Sequence, residues 1–253
     1  MKKSSRKLVA AIACRNNGSR LYGKPLQNLD VIKKITILDN IIACIKSLNI
    51  VEEIVLGISW GNDNLAFEEY AKLNDIKFIF GDEKDVLSRL ISCGEIAEAT
   101  DILRVTSESP FMYFDEVNSL WQHYIDSELD ALFMDEIIDG CGFEIISLEA
   151  LKKSHELGVD RHRSELCSLF IRENKGDFNI EKVLPPKELI RKDLRLTVDN
   201  PEDLVVCRAV YCHFKDYAPK IPLFEVVKFL DLSPNYKELI SPFTEAGYST
   251  MNK

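Results

Sequence analysis

The chain has 253 residues and is 46% hydrophobic, which is enough for a buried core and too much for an intrinsically disordered protein. This length accommodates one or two domains, and a single large α/β domain fits equally well. The formal net charge of −9 argues against a protein coated with basic residues for binding nucleic acid or an anionic membrane.

Positive charge is concentrated at the start of the sequence. Residues 1–34 contain nine Lys and Arg side chains and one acid, a net charge of +8, whereas the rest of the chain has a net charge of −17. A local excess of cations attracts anionic ligands to the surface that carries it. We therefore expect this segment to locate a binding site.

Cysteine usage and hydropathy indicate a cytoplasmic protein. The seven cysteines are scattered without a C-x-x-C pair, which is typical of reduced thiols, and four His residues give no zinc-ligand spacing. The apolar run at residues 8–14 leads into Arg15 rather than into a signal-peptide cleavage site. No apolar stretch approaches the ~18 residues of a membrane span, so we expect no membrane partner.

The first half of the chain alternates short apolar runs with helical patterns. These predict strands at residues 7–13, 54–58, 77–80 and 102–106, and helices at 37–48 (with Thr36 as N-cap), 62–73 and 86–97. Such alternation predicts a mainly parallel, twisted sheet covered by helices on both faces. Because ligands bind beyond the carboxyl ends of such strands, the loops after residues 13, 58, 80 and 106 are expected to lie together.

The second half is less regular. We predict strands at residues 129–134, 143–147 and 194–198, and helices at 148–157 and 161–173. Asn200 and Pro201 are typical of a helix start, with Asn as the cap and Pro at the first helical position. We expect a single domain over residues 1–232, followed by a tail, 233–253, that is either a mobile end or an interface arm.

The loop after the first strand has the composition of a triphosphate-binding loop. Residues 14–26 read C-R-N-N-G-S-R-L-Y-G-K-P-L, with two glycines and three cations. Glycine lets backbone N–H groups approach an anion, and Arg and Lys supply charge for phosphate oxygens. The alternative is a surface loop that happens to be basic.

The same loop matches most of a Walker A pattern, but its context excludes a P-loop. Gly18, Gly23 and Lys24 have the required spacing. A P-loop then needs Ser or Thr on the first turn of a helix to hold Mg²⁺. Pro25 stands there instead; it offers no hydroxyl and disfavours the α conformation at Lys24.

Four segments, in order along the chain, resemble the cytidylyltransferases that activate acidic sugars. Residues 15–26 resemble the family loop Ser-x-Arg-Leu-Pro-Gly-Lys-x-Leu preceded by Arg; residues 81–89 resemble Gly-Ser-x-x-Asp-Val-Leu-x-Arg. Residues 103–110 resemble Val-Arg-Ile-Thr-Gly-Asp-Cys-Pro, and 194–204 nearly reproduce Leu-Arg-Leu-Thr-Val-Asp-Thr-Pro-Glu-Asp-Leu. The branch is the spore-coat polysaccharide biosynthesis protein F type, and the family includes the Kdo and acylneuraminate cytidylyltransferases.

The resemblance implies a Rossmann-like nucleotidyltransferase with a small β-containing arm. Such an enzyme joins the α-phosphorus of CTP, or of another NTP, to an oxygen of a sugar-type acceptor and releases pyrophosphate. Mg²⁺ is the implied cofactor. The arm, at about residues 135–190, is expected to serve dimerisation or acceptor binding, and a homodimer is expected because it is common in this family.

The resemblance also implies roles for individual residues. Lys24, Arg15 and Arg20 are the expected catalytic cations, and Glu108 and Asp199 the expected metal ligands. Glu144, His162 and Arg163 are expected to bind the acceptor. The expected nucleotide-binding residues are Ala13, Arg15, Asn16, Gly18, Ser19, Arg20, Lys24, Ser59, Asp85, Arg89 and Thr106.

Several positions depart from the family pattern. Ser107 and Glu108 replace Gly-Asp, Tyr22 replaces the usual Pro, and Gly142 stands where the family often has an acid. These changes leave three functions open: the cytidylyltransferase, a sugar-1-phosphate nucleotidyltransferase using another NTP, and a catalytically weak nucleotide-binding regulatory protein. Side-chain identity does not select the base, because backbone contacts decide base specificity.

Overall fold

The structure of the protein is a computed structural model, which describes residues 6–18 and 20–251. Within this part of the chain a seven-stranded sheet forms the centre of the molecule. Its strands are β1 (Leu8–Cys14), β4 (Val51–Ser59), β5 (Lys77–Gly81), β6 (Asp101–Arg104), β7 (Ala131–Met134), β8 (Phe143–Ser147) and β9 (Ile180–Lys182). A small antiparallel pair, β2 (Asn28–Asp30) and β3 (Ile35–Thr36), follows the loop after β1.

The sheet is mostly parallel, as predicted. The strand order is β5-β4-β1-β6-β8-β7-β9, and β5, β4, β1 and β6 run parallel to one another. Strand β8 is inserted antiparallel between β6 and β7, and β9 runs parallel to β7. The carboxyl ends of β1, β6 and β7 therefore share one edge of the sheet with the start of β8.

Helices cover both faces and bury two apolar clusters against the sheet. The helices are α1 (Ile37–Lys46), α2 (Leu65–Leu73), α3 (Val86–Ile96), α4 (Val117–Asp126), α5 (Leu148–Leu157), α6 (Leu169–Glu173), α7 (Pro201–Phe214), α8 (Leu223–Asp231) and α9 (Pro234–Met251). Helices α3, α5 and α6 pack on one face, and α1, α2, α4, α7 and α8 on the other. The predicted fold class is thus confirmed.

Two helix starts follow the sequence signals. Thr36 accepts a hydrogen bond from the Asp39 amide at 3.0 Å, and the Asp39 carboxylate accepts from the Thr36 amide at 2.7 Å, which caps α1. Pro201 opens α7, and the Asp203 carboxylate accepts from the Asn200 amide at 2.8 Å. Asp199, immediately before this capped start, is therefore held in a defined position.

Two predicted elements are wrong. Residues 194–198 form no strand, because their backbone amides make hydrogen bonds to loop residues rather than to a neighbouring strand. The Leu196 amide donates to the Asp139 carbonyl, and the Val198 amide donates to the Glu108 carbonyl. Residues 161–173 form no continuous helix. A short 3₁₀ turn at Asp160–His162 is separated from α6 by a non-helical segment. In that segment the Arg163 carbonyl accepts a hydrogen bond from the Leu87 amide, and the Glu165 carbonyl accepts one from the Arg104 side chain.

The segment expected to form an arm and the expected tail both contain regular structure. Residues 135–190 contribute β8 and β9 to the main sheet, and residues 234–251 form α9. Ile240 of α9 is fully buried, and α9 packs against α7 and α8. The dimerisation role of either segment stays a prediction. None of the described helices combines the length and the apolarity that crossing a membrane requires.

Candidate active site

A cavity of about 690 Å³ opens where β1, β6 and β7 end and β8 begins. Its walls come from the loop after β1, from α3, from the segments after β6 and β7, and from residues 195–199. This is the edge at which open α/β sheets bind ligands. Of the four loops predicted to meet at the site, those after residues 13 and 106 line the cavity, whereas those after residues 58 and 80 do not.

Glycines shape the loop after β1. Gly23 has a φ of 60°, in the left-handed region that favours glycine. A Cβ at Gly18 would clash with the Leu21 carbonyl and lie 2.9 Å from the Lys24 side chain. Both glycine amides donate to the Asn16 carbonyl, at 2.9 and 3.0 Å. The loop thus folds back on itself and presents Lys24 to the cavity.

The cations of this loop form the first part of the site, which we call the loop end: Arg15, Arg20 and Lys24. Lys24 Nζ lies 2.6 Å from Asp199 Oδ1, and Arg20 Nη2 lies 3.4 Å from the same oxygen. Arg15 pairs with Glu165. Burial raises the pKa of Asp199, but the hydrogen bond from Lys24 and the charges of Lys24, Arg195 and Arg20 outweigh it and lower that pKa below its usual range.

Arg195 is the buried anchor of Asp199. Its three nitrogens contact Asp199, Asp139 (2.6 Å) and Asp203 (3.1 Å). Asp139 also lines the cavity, and burial raises its pKa to about 6 although Arg195 opposes this. This arrangement fixes the direction of the Asp199 carboxylate.

Glu108 is the second carboxylate near the loop end. Its backbone carbonyl accepts from the Val198 amide at 3.0 Å, so the segments that carry Glu108 and Asp199 lie side by side. The Ser107 hydroxyl donates to the Glu108 carboxylate at 3.0 Å. Burial raises the pKa of Glu108, and the Lys24 charge and the Ser107 hydrogen bond oppose this.

Arg89 of α3 is a buried guanidinium that lines the cavity and is only 2% exposed. Its Nη1 donates to the carbonyls of Cys14 (3.2 Å) and Gly57 (2.9 Å), while its Nε has no partner. Burial lowers the pKa of Arg89. A Cβ at Gly81 would lie 2.5 Å from Cγ of its aliphatic stem, so this glycine makes room for the arginine.

A second part of the cavity, which we call the buried end, consists of Arg104, Asp135, Glu144 and Arg172. Arg104 on β6 lies opposite Glu144 on β8 and donates to it at 2.9 Å. Arg172 contacts Glu144 at 2.7 Å and both oxygens of Asp135 at 2.5 and 2.9 Å. Burial raises the pKa of Glu144, but the two arginines outweigh it and hold the pKa at about 2.

Helix α9 adds an apolar contact to the cavity through Pro242 and Phe243. The helix is fixed on the neighbouring structure by buried Ile240 and by Lys237, whose Nζ lies 2.8 Å from Asp193 and 3.2 Å from Asp231. The segment predicted to be a tail thus supplies part of the cavity wall.

The structure brings most of the predicted site residues together. Those that line the cavity are Ala13, Arg15, Gly18, Arg20, Lys24, Arg89, Thr106, Glu108, Glu144 and Asp199. Ser19 lies outside the described residues. Lining a cavity does not assign a role, so their functions stay predictions.

Five other predicted residues do not line the cavity. Asn16 is buried and its amide donates to Asn64, and Ser59 is buried. Asp85 caps α3 by accepting from the Ser88 amide and pairs with His155 at 2.7 Å. These contacts give Asn16 and Asp85 structural roles.

His162 and Arg163, predicted to bind the acceptor, also lie outside the cavity wall. His162 is buried, accepts from the Val159 amide at Nδ1 and lies 2.9 Å from Glu173 at Nε2. Arg163 donates to the His155 carbonyl at 3.3 Å. Both side chains are used in local packing, so the acceptor contact predicted for them has no support from their position.

Sequence reasoning missed Asp135, Asp139, Arg172 and Arg195. Arg195 stands in the motif at residues 194–204, four residues before Asp199, and that position was the available signal. Asp135 and Arg172 are 37 residues apart and meet only through the fold, so no local pattern indicated their pairing.

No family model matches the sequence. An uncharacterized protein of Methanocaldococcus jannaschii is 23% identical over 242 residues, covering 96% of this chain and 98% of that protein. The spore coat polysaccharide biosynthesis protein SpsF of Bacillus subtilis is 22% identical over 156 residues, covering 61% of this chain and 65% of that protein.

Solved structures share the fold. A cytidylyltransferase from Leptospira borgpetersenii is 20% identical with a TM-score of 0.81, covering 91% of this chain and 96% of that one. A CMP:2-keto-3-deoxy-manno-octonic acid synthetase, solved with CTP, is 17% identical with a TM-score of 0.61, covering 82% and 99%. The resemblance to cytidylyltransferases that the motifs indicated is confirmed at the level of fold.

Proposed function

We propose that the protein is a Mg²⁺-dependent nucleotidyltransferase that transfers CMP from CTP to a sugar-type acceptor, with release of pyrophosphate, in the synthesis of a surface glycan. One observation carries the proposal: Arg20 and Lys24 meet Asp199 beside Glu108 in a single cavity at the ligand-binding edge of the sheet. The names of the similar proteins support the choice of CTP, of nucleotidyl transfer and of glycan synthesis.

The donor set fits Mg²⁺. Glu108 and Asp199 offer hard carboxylate oxygens, and Mg²⁺ is usually held by one or two carboxylates together with substrate phosphates. Among the described residues, no group of three or more His, Cys, Asp or Glu forms a self-sufficient metal centre. When bound, Mg²⁺ would supply positive charge at the phosphates.

The loop end supplies what transfer to the α-phosphorus needs. The oxygen of an acceptor hydroxyl forms a bond to that phosphorus and its proton is released to solvent, while the bond to the bridging oxygen of the β-phosphate breaks and pyrophosphate leaves. Negative charge develops on the leaving group, and positioned cations stabilise it. We assign this role to Lys24, Arg20 and Arg15, which line the cavity, and Arg195 contacts Asp199 and orients it.

Pyrophosphate release tests the proposal. The protein is assayed with each of the four NTPs, Mg²⁺ and a panel of sugars, sugar acids and sugar phosphates. We expect release with CTP and loss of release when EDTA removes the metal. Release only with another NTP and a sugar 1-phosphate would favour the alternative enzyme. Nucleotide binding without release from any pair would favour a regulatory protein.

A further inference from the structure

Arg15, one of the three cations of the loop end, is paired with a carboxylate that the proposed reaction does not use. Its Nη2 contacts Oε1 of Glu165, and both residues line the cavity. They are 150 positions apart in the sequence, so the fold alone brings them together. Lys24 and Arg20 instead contact Asp199, whose carboxylate is a candidate metal ligand. The pair formed by Arg15 and Glu165 therefore needs an explanation of its own.

The backbone around Glu165 is held in place, whereas its side chain is exposed. The Glu165 carbonyl accepts a hydrogen bond from the Arg104 side chain at 2.7 Å. Two residues earlier in the chain, the Arg163 carbonyl accepts one from the Leu87 amide at 3.2 Å. The carboxylate can therefore turn away from Arg15 into solvent by side-chain rotation, without movement of the segment that carries it.

The negative charge of Glu165 acts within the candidate site. Burial raises the pKa of Glu108, and the charges of Asp199 and Glu165 contribute to this rise. Like charges at such short range repel each other. A phosphate group that binds Arg15 therefore meets an unfavourable charge unless the Glu165 carboxylate leaves.

A triphosphate is a stronger partner for Arg15 than Glu165 is. The side chains of Arg15 and Glu165 are 41% and 74% exposed, and exposed ion pairs contribute little because water and salt screen them. A guanidinium binds phosphate oxygens in a bidentate geometry, and a triphosphate carries several negative charges where Glu165 carries one. Exchange of the carboxylate for a phosphate therefore keeps Arg15 paired and favours the ligand.

We propose that Glu165 occupies the phosphate-binding position on Arg15 in the free protein and is displaced from it when a nucleotide phosphate binds. This exchange rests on the proposed function, in which the triphosphate lies at the loop end. Glu165 then lowers the affinity for the nucleotide, because each binding event breaks its pair with Arg15. A ligand that does not reach Arg15 is not affected.

Calorimetric titration of CTP with Mg²⁺ into wild type and into Glu165→Gln tests the displacement. Glutamine keeps the size of the side chain and removes its charge, so we expect the Kd for CTP to fall at least about twofold and up to about fivefold. Glu95→Gln is the matched control, because it removes the same charge from an exposed pair with Lys152 outside the cavity wall, and it should leave the Kd unchanged. A fall of less than about twofold in folded Glu165→Gln, or an equal fall in Glu95→Gln, would overturn the proposal.

The same substitution in an Arg15→Met background separates displacement from repulsion through space. If Glu165 acts by occupying Arg15, the gain disappears when Arg15 is absent. Arg15→Met with and without Glu165→Gln should then bind CTP equally, or both too weakly to detect. A gain that persists in the Arg15→Met background would show that Glu165 only repels the phosphates, and the proposal would be wrong.

Failure of the proposed function gives a different result. Absence of CTP binding in both wild type and Glu165→Gln would contradict the proposed function. Inorganic tripolyphosphate with Mg²⁺ is then titrated instead, because it offers linked phosphates without a nucleoside. A fall of about twofold to fivefold in its Kd in Glu165→Gln would support displacement from Arg15, whereas no binding, or a smaller change, would overturn it.

Discussion

The two ends of the cavity use the same residue types in opposite ways. At the loop end, Arg15 and Arg20 have side chains 41% and 55% exposed, and their partners Glu165 and Asp199 also remain accessible. At the buried end, Arg172 and Glu144 are 3% and 6% exposed. Exposed ion pairs contribute little and exchange readily, whereas breaking a buried pair is costly. The loop end is thus suited to bind a charged ligand, because its ion pairs can exchange partners, whereas the ion pairs of the buried end keep their side chains in one arrangement.

The largest expected effect is on catalysis at the loop end. Lys24→Ala removes the cation that contacts Asp199, and we expect kcat for pyrophosphate release to fall about 10²- to 10³-fold. Lys228→Ala, at an exposed lysine of α8, is the control and should keep the wild-type rate. A Lys24→Ala rate within twofold of wild type would remove the loop end from the mechanism.

A large effect on stability is expected at the buried end. Arg172→Met leaves Asp135 and Glu144 without their shared cation, so the free energy of unfolding should fall by about 3 to 5 kcal/mol. Urea denaturation measures the change. Arg161→Met breaks an exposed pair with Glu173 and should cost less than about 1 kcal/mol. Equal losses in the two variants would contradict the contrast between buried and exposed pairs.

Glu144 should make stability depend on pH in acid. Its pKa in the folded protein, about 2, lies below the ordinary value of ~4.3, so its contribution is present above ~4.3 and is lost as pH falls toward 2. We expect wild type to lose on the order of 2 to 3 kcal/mol more than Glu144→Gln across this window. Urea titrations from pH 7 to 2 measure the difference, and parallel pH curves for the two proteins would disprove it.

The smallest effect on stability is expected for Arg20→Ala. Its pair with Asp199 is exposed and 3.4 Å long, so the free energy of unfolding should change by less than about 1 kcal/mol. The KM for CTP should nevertheless rise about tenfold, because a phosphate contact is lost. Steady-state kinetics and urea denaturation together separate the two quantities. A stability loss as large as that of Arg172→Met would show that the loop end is also a structural cluster.

Local sequence signals predicted the features whose interacting residues lie only a few positions apart in the chain. Thr36 with Asp39, and Asn200-Pro201 with Asp203, marked helix starts that the structure contains. Asp85 shows the limit of the same signal, since a residue read as part of the site caps α3 by accepting from Ser88, three residues on. Capping and binding use the same side chains, and only the fold shows which of the two a carboxylate serves.

The sequence by itself determined the alternation of strands and helices and the glycine-rich cationic loop, because periodicity, capping and loop composition act within a few residues. The resemblance of its motifs to those of the cytidylyltransferases also indicated Asp199 and Glu108 as carboxylates of the site. Only the tertiary structure decided the buried end. Arg104 meets Glu144 through the register of two antiparallel strands, and Arg172 reaches Asp135 across 37 residues. Such pairings depend on strand order and packing, which no local pattern of side chains specifies.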